Sequence, residues 1–299
     1  MGQPALPVLN QEPLEKAIQL LALGCKVQPI SQFDRKSYFY PDLPMGYQIT
    51  QFSKPTNIDG SVTFFIDKEF SEERTVGIVD AHIETDTGKS SHSTGSVTLD
   101  YNRAGTPLVE IVTQPDFSTT DEVIFLKHIQ RVARFQDVDG DMDKGQMRVD
   151  VNISLKPTSD TLGTRTETKN MSSFSAISRA IEYEVGRQTE VLNGGGEISQ
   201  ETRWDDVAGS SFVMRSKEDA MDYRYFPEPD MPLVSISEQQ LSKISQIMKP
   251  PYERITRYKN NYKFNKEYIN ALINDTQMNA AFEAAVKENK PAEVAKRLV

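Results

Sequence analysis

Arg148-Val149-Asp150-Val151-Asn152-Ile153-Ser154-Leu155 alternates polar and apolar side chains without a break. A two-residue period is that of a strand, whose successive side chains point to opposite faces. Val149, Val151, Ile153 and Leu155 are therefore expected in a core, and Arg148, Asp150, Asn152 and Ser154 on the other side. The same period runs through 61–66, 75–84, 107–112 and 164–169. In the last of these Arg165, Glu167 and Lys169 share a side. In the strand ending at residue 84, Asp80, His82 and Glu84 share a face, opposite Val79, Ala81 and Ile83. Three strands are thus expected to present acids and bases from one sheet surface, although a solvated face of an antiparallel sheet accounts for any one of them taken alone.

Outward from these strands the period changes to that of helices. Leu14, Ala17, Ile18 and Leu21 predict a helix over 11–23, with Gly24 as its stop and Cys25 packed on it. Thr119 with Glu122 is a capping-box pattern opening a helix through Val123, Leu126, Ile129 and Val132. A third helix is expected from Ser172 or Ser173, through Phe174, Ile177, Ile181 and Val185, to the stop at Gly194-Gly195-Gly196. Strands and helices mix without regular βαβ alternation, which predicts a mostly antiparallel α+β domain rather than a doubly wound sheet. After residue 238 strand signals vanish, and Leu241, Ile244, Ile247, Tyr268, Leu272, Phe282 and Val286 predict a smaller all-α domain. The breakers Pro227, Pro229 and Pro232 precede a change of charge: residues 236–299 carry net +4, and 1–235 carry −13 of the chain's total of −9. The expected domains are therefore 1–235 and 236–299.

The 299 residues suffice for one large domain or two ordinary ones. One cysteine excludes an internal disulfide, and with His82, His92 and His128 as the only histidines a Cys/His zinc site is not expected. No apolar run approaches the length of a membrane span, and no signal peptide is read at the start, so no membrane or secretory role is expected. Net negative charge argues against a protein that coats nucleic acid through its overall field.

Glu110 stands among apolar neighbours in Leu108-Val109-Glu110-Ile111-Val112. A buried carboxylate needs a cation, a proton or a metal, since leaving it unpaired costs several kcal/mol. A salt bridge to Arg103, Arg148 or another base satisfies that need. So does a cluster of Glu84, Asp86, Glu110, Asp150 and Glu167 around Mg²⁺, with Lys89, Arg148, Arg165 and Lys169 balancing a nucleotide or phosphoryl group. His82 and His92 are candidates for proton transfer or for ordinary solvated positions. Neither a Gly-x-x-x-x-Gly-Lys-Ser/Thr loop nor a Gly-x-Gly-x-x-Gly motif is present. The run Lys249–Lys266 interleaves bases with Tyr252, Tyr258, Tyr262 and Phe264; it fits either an RNA-contacting surface or a solvated helical face.

Several strings resemble the GatB/GatE family, the B subunits of the aspartyl/glutamyl-tRNA amidotransferases. They are Phe33-Asp-Arg-Lys-Ser-Tyr-Phe-Tyr-Pro-Asp42, Tyr47-Gln-Ile-Thr-Gln-Phe52, Asp100-Tyr-Asn-Arg-Ala-Gly-Thr-Pro-Leu-Val-Glu110, Met147-Arg-Val-Asp-Val-Asn-Ile-Ser154, Lys169-Asn-Met-Ser-Ser-Phe174, Gln200-Glu-Thr-Arg-Trp-Asp205 and Asp222-Tyr-Arg-Tyr-Phe-Pro-Glu-Pro-Asp230. The resemblance runs from about Pro4 to Asp230 and more loosely beyond.

What it implies is a glutamine-synthetase-like cradle followed by a helical domain. The implied activity is ATP- and Mg²⁺-dependent phosphorylation of the side-chain carboxylate of Glu-tRNA(Gln), Asp-tRNA(Asn) or both. Amidation follows, with ammonia released from glutamine by the amidotransferase's A subunit and with its small C subunit bracing the pair. The implied compartment is a bacterial cytoplasm or an organelle matrix. Carried onto this chain, Glu110, Glu167 and Glu84 become metal ligands and Lys89, Arg165 and His82 nucleotide-binding residues. Glu84, Asp150, Arg148 and Lys169 become catalytic, Arg148 and Lys169 toward phosphate. Two departures accompany it: Thr85 stands where the family has an acid, and the family's opening Gly-Leu-Glu-x-His strand and its tail domain lie outside this chain, which is expected to be truncated at both ends. A tRNA-binding scaffold with a degenerate kinase site is the alternative; the GatE paralogue fits less well, because it carries a large insertion domain.

Overall fold

The computed structural model describes residues 7–21, 24–155, 162–199, 201–215, 223–247 and 250–299. In chain order the elements are α1 (Gln11–Leu21), β1 (Lys26–Val27), β2 (Ile30–Ser37), β3 (Tyr47–Lys54), β4 (Asn57–Phe65), β5 (Glu73–Thr85), β6 (Lys89–Ser93), β7 (Ser96–Asp100) and β8 (Pro107–Thr113). A 3₁₀ turn (Thr120–Val123) leads into α2 (Ile124–Phe135), followed by β9 (Val151–Ile153), β10 (Thr166–Lys169), α3 (Phe174–Asn193), β11 (Glu201–Asp205) and β12 (Ser210–Arg215). Then come β13 (Phe226–Pro227), β14 (Val234–Ser235), α4 (Glu238–Ile247), α5 (Pro251–Asn260), α6 (Lys266–Asn274), α7 (Thr276–Ala285) and α8 (Pro291–Leu298). The class is α+β with several antiparallel sheets, as read from the sequence; β10 and β11 pair in parallel. By its contacts the chain divides into two compact units, residues 1–64, 73–116 and 221–299 in one, and 65–72 and 117–220 in the other.

The first unit holds the sheet β1-β4-β5-β8, a second sheet in which β2 pairs with β3, β13 and β14, and the hairpin β6-β7. The apolar stripe of α1 buries Leu14, Ala17 and Ile18 against Phe33, Ile49, Ile83, Val234 and Ile236. Each large side chain so buried contributes about 1.5–3 kcal/mol. The described helix runs to Leu21; Gly24 takes φ +79°, and Cys25 lies in a turn rather than on the helix. A Cβ at Gly24 would lie 2.0 Å from the carbonyl oxygen of Ser61, whose own N–H donates to the Gly24 carbonyl. Both the left-handed backbone and the clash oppose any side chain there. Gly24→Ala is expected to lower unfolding free energy by at least about 2 kcal/mol, read from the urea midpoint; an unchanged midpoint contradicts this reading of the turn.

The periodicity of 75–84 holds with one correction. Ile78 pairs with Thr113 and Asp80 with Val112, so Val79 is the extra residue of a β-bulge and is 39% exposed instead of entering the core. The bulge changes the parity of the strand: Val76 and Ile78 are buried before it, Ala81 and Ile83 after it. Asp80, His82 and Glu84 consequently share the side opposite Ala81 and Ile83.

β2 and β3 escape the apolar-period reading because much of what they bury is polar. Ser31, Asp34, Gln48, Thr50, Gln51 and Thr56 are all buried. Gln51 Oε1 accepts from the Ile83 amide (3.0 Å) and from Thr56 Oγ1 (2.7 Å), and its Nε2 donates to Ser31 Oγ (2.5 Å). Asp34 accepts from the Ser53 amide (2.7 Å) and hydroxyl. Hydrogen bonds satisfy these groups as they leave water, so no hydrophobic alternation is needed.

Beyond β14 the regular secondary structure of the described residues is helical, α4 to α8. Asn265 and Asp275 cap α6 and α7 by accepting from the Tyr268 and Met278 amides. The basic and aromatic run is corrected here. Tyr258 is fully buried, Tyr262 and Phe264 are half-buried against Phe282, and Arg257 pairs with Glu283, so Tyr258 is a core ring rather than part of a stacking surface. Lys249 lies outside the described residues.

In the second unit the sheet β12-β11-β10-β9 packs on α3 around Trp204, Ala176, Ile177, Ala180, Met142 and Met171. Ser173 Oγ accepts from the Ala176 amide at 3.1 Å to open α3, and the triple glycine closes it, with Gly195 at φ +72° and the Gly196 amide on the Val191 carbonyl. The capping box at Thr119 is half formed: Glu122 accepts from the Thr119 and Ser118 amides, but the first turn is 3₁₀. The alternation holds over 148–153, with Ile153 buried, Val149 and Val151 half-buried and Arg148, Asp150 and Asn152 exposed; at 154–155 it ends, Ser154 and Leu155 being equally half-buried, and the ladder covers only β9. The expectation of one shared sheet surface is not met: Asp80–Glu84 belong to the β5 sheet, whereas β9 and β10 belong to another. A period of two reports which face a side chain takes and carries no information on which strand lies beside it.

His128 on α2 is buried, and burial, with Arg131 nearby, holds its pKa down to about 4. The unfolded chain takes up this proton near pH 6.5 and the folded one does not, so the contribution is full above about 6.5 and falls as pH drops toward 4. Stability of this unit is expected to fall by about 2 kcal/mol from this group between pH 6.5 and 5. Fluorescence of the single tryptophan, Trp204, in urea at both pH values checks it: His128→Gln flattens the pH dependence, and an equal slope in both proteins contradicts it.

Candidate active site

The bulged strand β5 and its edge neighbour β8 set the geometry. Their register places His82 opposite Glu110 and Glu84 opposite Leu108. Nδ1–H of His82 donates to Asp80 Oδ1 at 2.8 Å, which fixes the ring and aims Nε2 at Glu110 Oε2, 3.5 Å away. A carboxylate on one ring nitrogen is the usual way an imidazole is held for a ligand on the other. Glu84 and Glu110 approach each other within hydrogen-bonding reach. One donor atom from each of His82, Glu84 and Glu110 lies within 4.8 Å of the others.

The expectation that Glu110 is buried among apolar residues is corrected. β8 is an edge strand, and the Glu110 side chain is 51% exposed at a cavity; the buried acid is Glu84, at 6%. Its cation is Lys36, whose Nζ lies 3.1 Å from Glu84 Oε1 and 5.2 Å from the Tyr223 ring centre. The β2-β3 hairpin carrying Lys36 is seated against β5 by side chains. Gln48 Nε2 donates to the Thr85 carbonyl (2.8 Å), and the Ile49 amide donates to Thr85 Oγ1 (3.1 Å). Thr85, the departure from the family pattern, therefore serves this strand contact.

Lys36, Asp80, His82 and Glu110 line a cavity of about 270 Å³ whose other walls include Phe52 and Tyr225. These two rings stack at 4.0 Å and 5°. Burial lowers the pKa of His82, but its bonds to Asp80 and Glu110 outweigh this and push it up to about 9. The bond from His82 holds Glu110 down to about 2. Burial raises Glu84 despite the neighbouring Lys36, and the Lys36 amine is raised because Glu84 outweighs its burial. Without an ion the cluster is thus a proton-bridged set of acids and bases. One imidazole and two carboxylates suit a divalent ion such as Mg²⁺ or Mn²⁺, which would replace the His82 proton.

The second unit holds Arg148, Asp150, Arg165, Glu167 and Lys169. Lys169 Nζ lies 3.1 Å from Glu167 and 3.8 Å from Glu201, and Asp150 adds to the field that raises its pKa against burial. Glu201 sits in register with Glu167 across β10 and β11. Arg148 and Arg165 are exposed near these strands. In the first unit Lys89 is exposed at the start of β6, and Arg103 binds the Thr87 and Gly88 carbonyls and pairs with Asp86. The His92 side chain lies outside the described residues. Burial, with Asp80, pushes the Cys25 thiol up to about 11, which makes it an inert packing group. Lys36, Glu201, Phe52 and Tyr225 were given no role by sequence reasoning; Lys36 had a signal, one of two adjacent bases, Arg35 and Lys36, inside the Phe33–Asp42 string.

Among the described residues no helix is long and apolar enough to cross a membrane. The family model of the GatB/GatE catalytic domain matches residues 1–242. A protein of Ehrlichia ruminantium (strain Gardel), named as the B subunit of aspartyl/glutamyl-tRNA(Asn/Gln) amidotransferase, is 44% identical over 290 residues, 95% of this chain and 60% of that protein. The protein of that name from Symbiobacterium thermophilum is 48% identical over 251 residues, 80% and 51% of the two chains. The B subunit of a chloroplastic/mitochondrial glutamyl-tRNA(Gln) amidotransferase of Ostreococcus lucimarinus is 43% identical over 307 residues, 98% and 62%. The chain spans about three fifths of the length of the first of these relatives. With most of its length matched to that catalytic domain and its acid–imidazole cluster within the match, the chain belongs to the GatB/GatE family.

Proposed function

We propose that the chain acts as the B subunit of a tRNA-dependent amidotransferase and uses ATP and Mg²⁺ to phosphorylate the side-chain carboxylate of Glu-tRNA(Gln), Asp-tRNA(Asn) or both. Ammonia from the A subunit then displaces the phosphate, the C subunit braces the assembly, and the compartment is a bacterial cytoplasm or an organelle matrix. The observation that carries this reading is the grouping of His82, Glu84 and Glu110 donors within 4.8 Å beside Lys36 and a cavity, inside the matched catalytic domain. His82, Glu84 and Glu110 would hold the ion, which supplies positive charge to phosphate oxygens during transfer. For Glu167 (metal), Asp150, Arg148 and Lys169 (catalysis and phosphate), and Lys89 and Arg165 (nucleotide), we retain the roles that the family resemblance implies. Residues 1–235 form a glutamine-synthetase-like cradle in this reading, and 236–299 begin a helical domain.

The test is ATP turnover by the chain assembled with the A and C subunits. Turnover is expected only with Mg²⁺ and misacylated tRNA, and Glu84→Gln is expected to reduce it at least about tenfold. Unchanged turnover in Glu84→Gln refutes the site. Amidation without any nucleotide turnover favours the scaffold alternative.

A further inference from the structure

The cluster contains two claimants for one buried carboxylate. Glu84 is among the three grouped donors, yet its Oε1 already accepts from Lys36 at 3.1 Å. A divalent ion on Glu84 would repel an ammonium on the same carboxylate, because both charges lie where water screens them poorly. Lys36 has somewhere else to go. It lines the cavity with Glu110 and Tyr225, has the Tyr223 ring beside it, and carries its charge on a flexible four-carbon stem. Charge favours the exchange. Asp80 and Glu110 line the same cavity as Lys36, and Glu84 is bonded to it, so a doubly charged ion together with the Lys36 ammonium balances the three carboxylates. Once the ion takes over Glu84, the ammonium is left facing the cavity without its carboxylate. What an unpaired lysine beside a divalent ion attracts is an oxyanion, and phosphate, bound by lysine as a point charge, is the class that such a pair fits.

We propose that Lys36 is a placeholder cation: a divalent ion displaces it from Glu84, and the freed ammonium then binds a phosphate group of the substrate. The proposal rests on the metal-site reading above, and its test separates the two. The 299-residue chain is titrated with Mn²⁺ alone at pH 8, then, with Mn²⁺ bound, with inorganic tripolyphosphate and separately with glutarate. Lys36→Met is expected to bind Mn²⁺ about tenfold more tightly than the unmodified chain and tripolyphosphate about tenfold more weakly. Lys36→Arg, which keeps the charge, is expected to hold Mn²⁺ affinity within about threefold of the unmodified chain. Lys36→Gln, checked by its melting temperature, serves if the methionine variant does not fold. Unchanged or weaker Mn²⁺ binding in Lys36→Met overturns the competition. Loss of glutarate binding in place of tripolyphosphate binding overturns the phosphate assignment. If the unmodified chain binds no Mn²⁺, or Glu110→Ala binds it equally well, the metal-site reading itself fails.

Discussion

Glu110→Ala in the assembled amidotransferase is expected to lower amidation of misacylated tRNA by about a hundredfold or more while leaving glutamine hydrolysis by the A subunit unchanged. Glu110 is the half-exposed carboxylate through which the cluster opens to the cavity, and it faces His82 in register across β5 and β8. Its low pKa keeps it ionised throughout the neutral range. Removing it deletes one of three donors and leaves the His82 Nε2 without its carboxylate. Glu110→Gln keeps the shape and removes the charge, so it should fall close to the alanine variant if charge carries the role. Amidation at the unmodified rate in both variants refutes it.

Arg35→Ala is expected to destabilise the chain by about 3–5 kcal/mol, the largest effect anticipated outside the candidate site. Arg35 on β2 donates from Nε and Nη2 to the two oxygens of Glu228 at 2.7 and 2.9 Å, and from Nη2 to Asp230 at 3.1 Å. The Glu228 side chain is fully buried, and the guanidinium lies 4.3 Å from the Tyr47 ring centre. Deleting the arginine strands an ion inside the protein, which costs more than the pair gains in the intact protein. Arg35→Lys keeps the charge but loses the two-pronged geometry and should recover only part of the loss. Urea unfolding followed by circular dichroism measures this; a shift below about 1 kcal/mol for Arg35→Ala shows that Glu228 is solvated or paired elsewhere.

Residues 148–153 and 165–169 were legible because their alternation coincides with burial of one face. Even Thr166 and Thr168 obey it, packed beneath Glu167 with their hydroxyls on Ser199 and Thr202. β2 and β3 were not legible, because Ser31, Asp34 and Gln51 exchange water for hydrogen bonds and leave no apolar signature. Val79 misled for a different reason: a bulge is a property of two strands together, and one strand's spacing does not contain it. Glu84 and Glu110 were read from the sequence as metal ligands and His82 as a nucleotide-binding residue, but Lys36 was not placed with them. Its approach to Glu84 depends on Gln48 and Thr85 joining β3 to β5, a contact between stretches more than thirty residues apart.

The central claim is that His82, Glu84 and Glu110 bind one divalent ion. Anomalous diffraction from crystals of the chain grown with Mn²⁺ tests it most directly. A single strong peak bounded by His82 Nε2 and the two carboxylates, absent from crystals of Glu110→Ala, is the predicted result. Ordered side chains at full Mn²⁺ with no peak between them, and Lys36 still on Glu84, would contradict it.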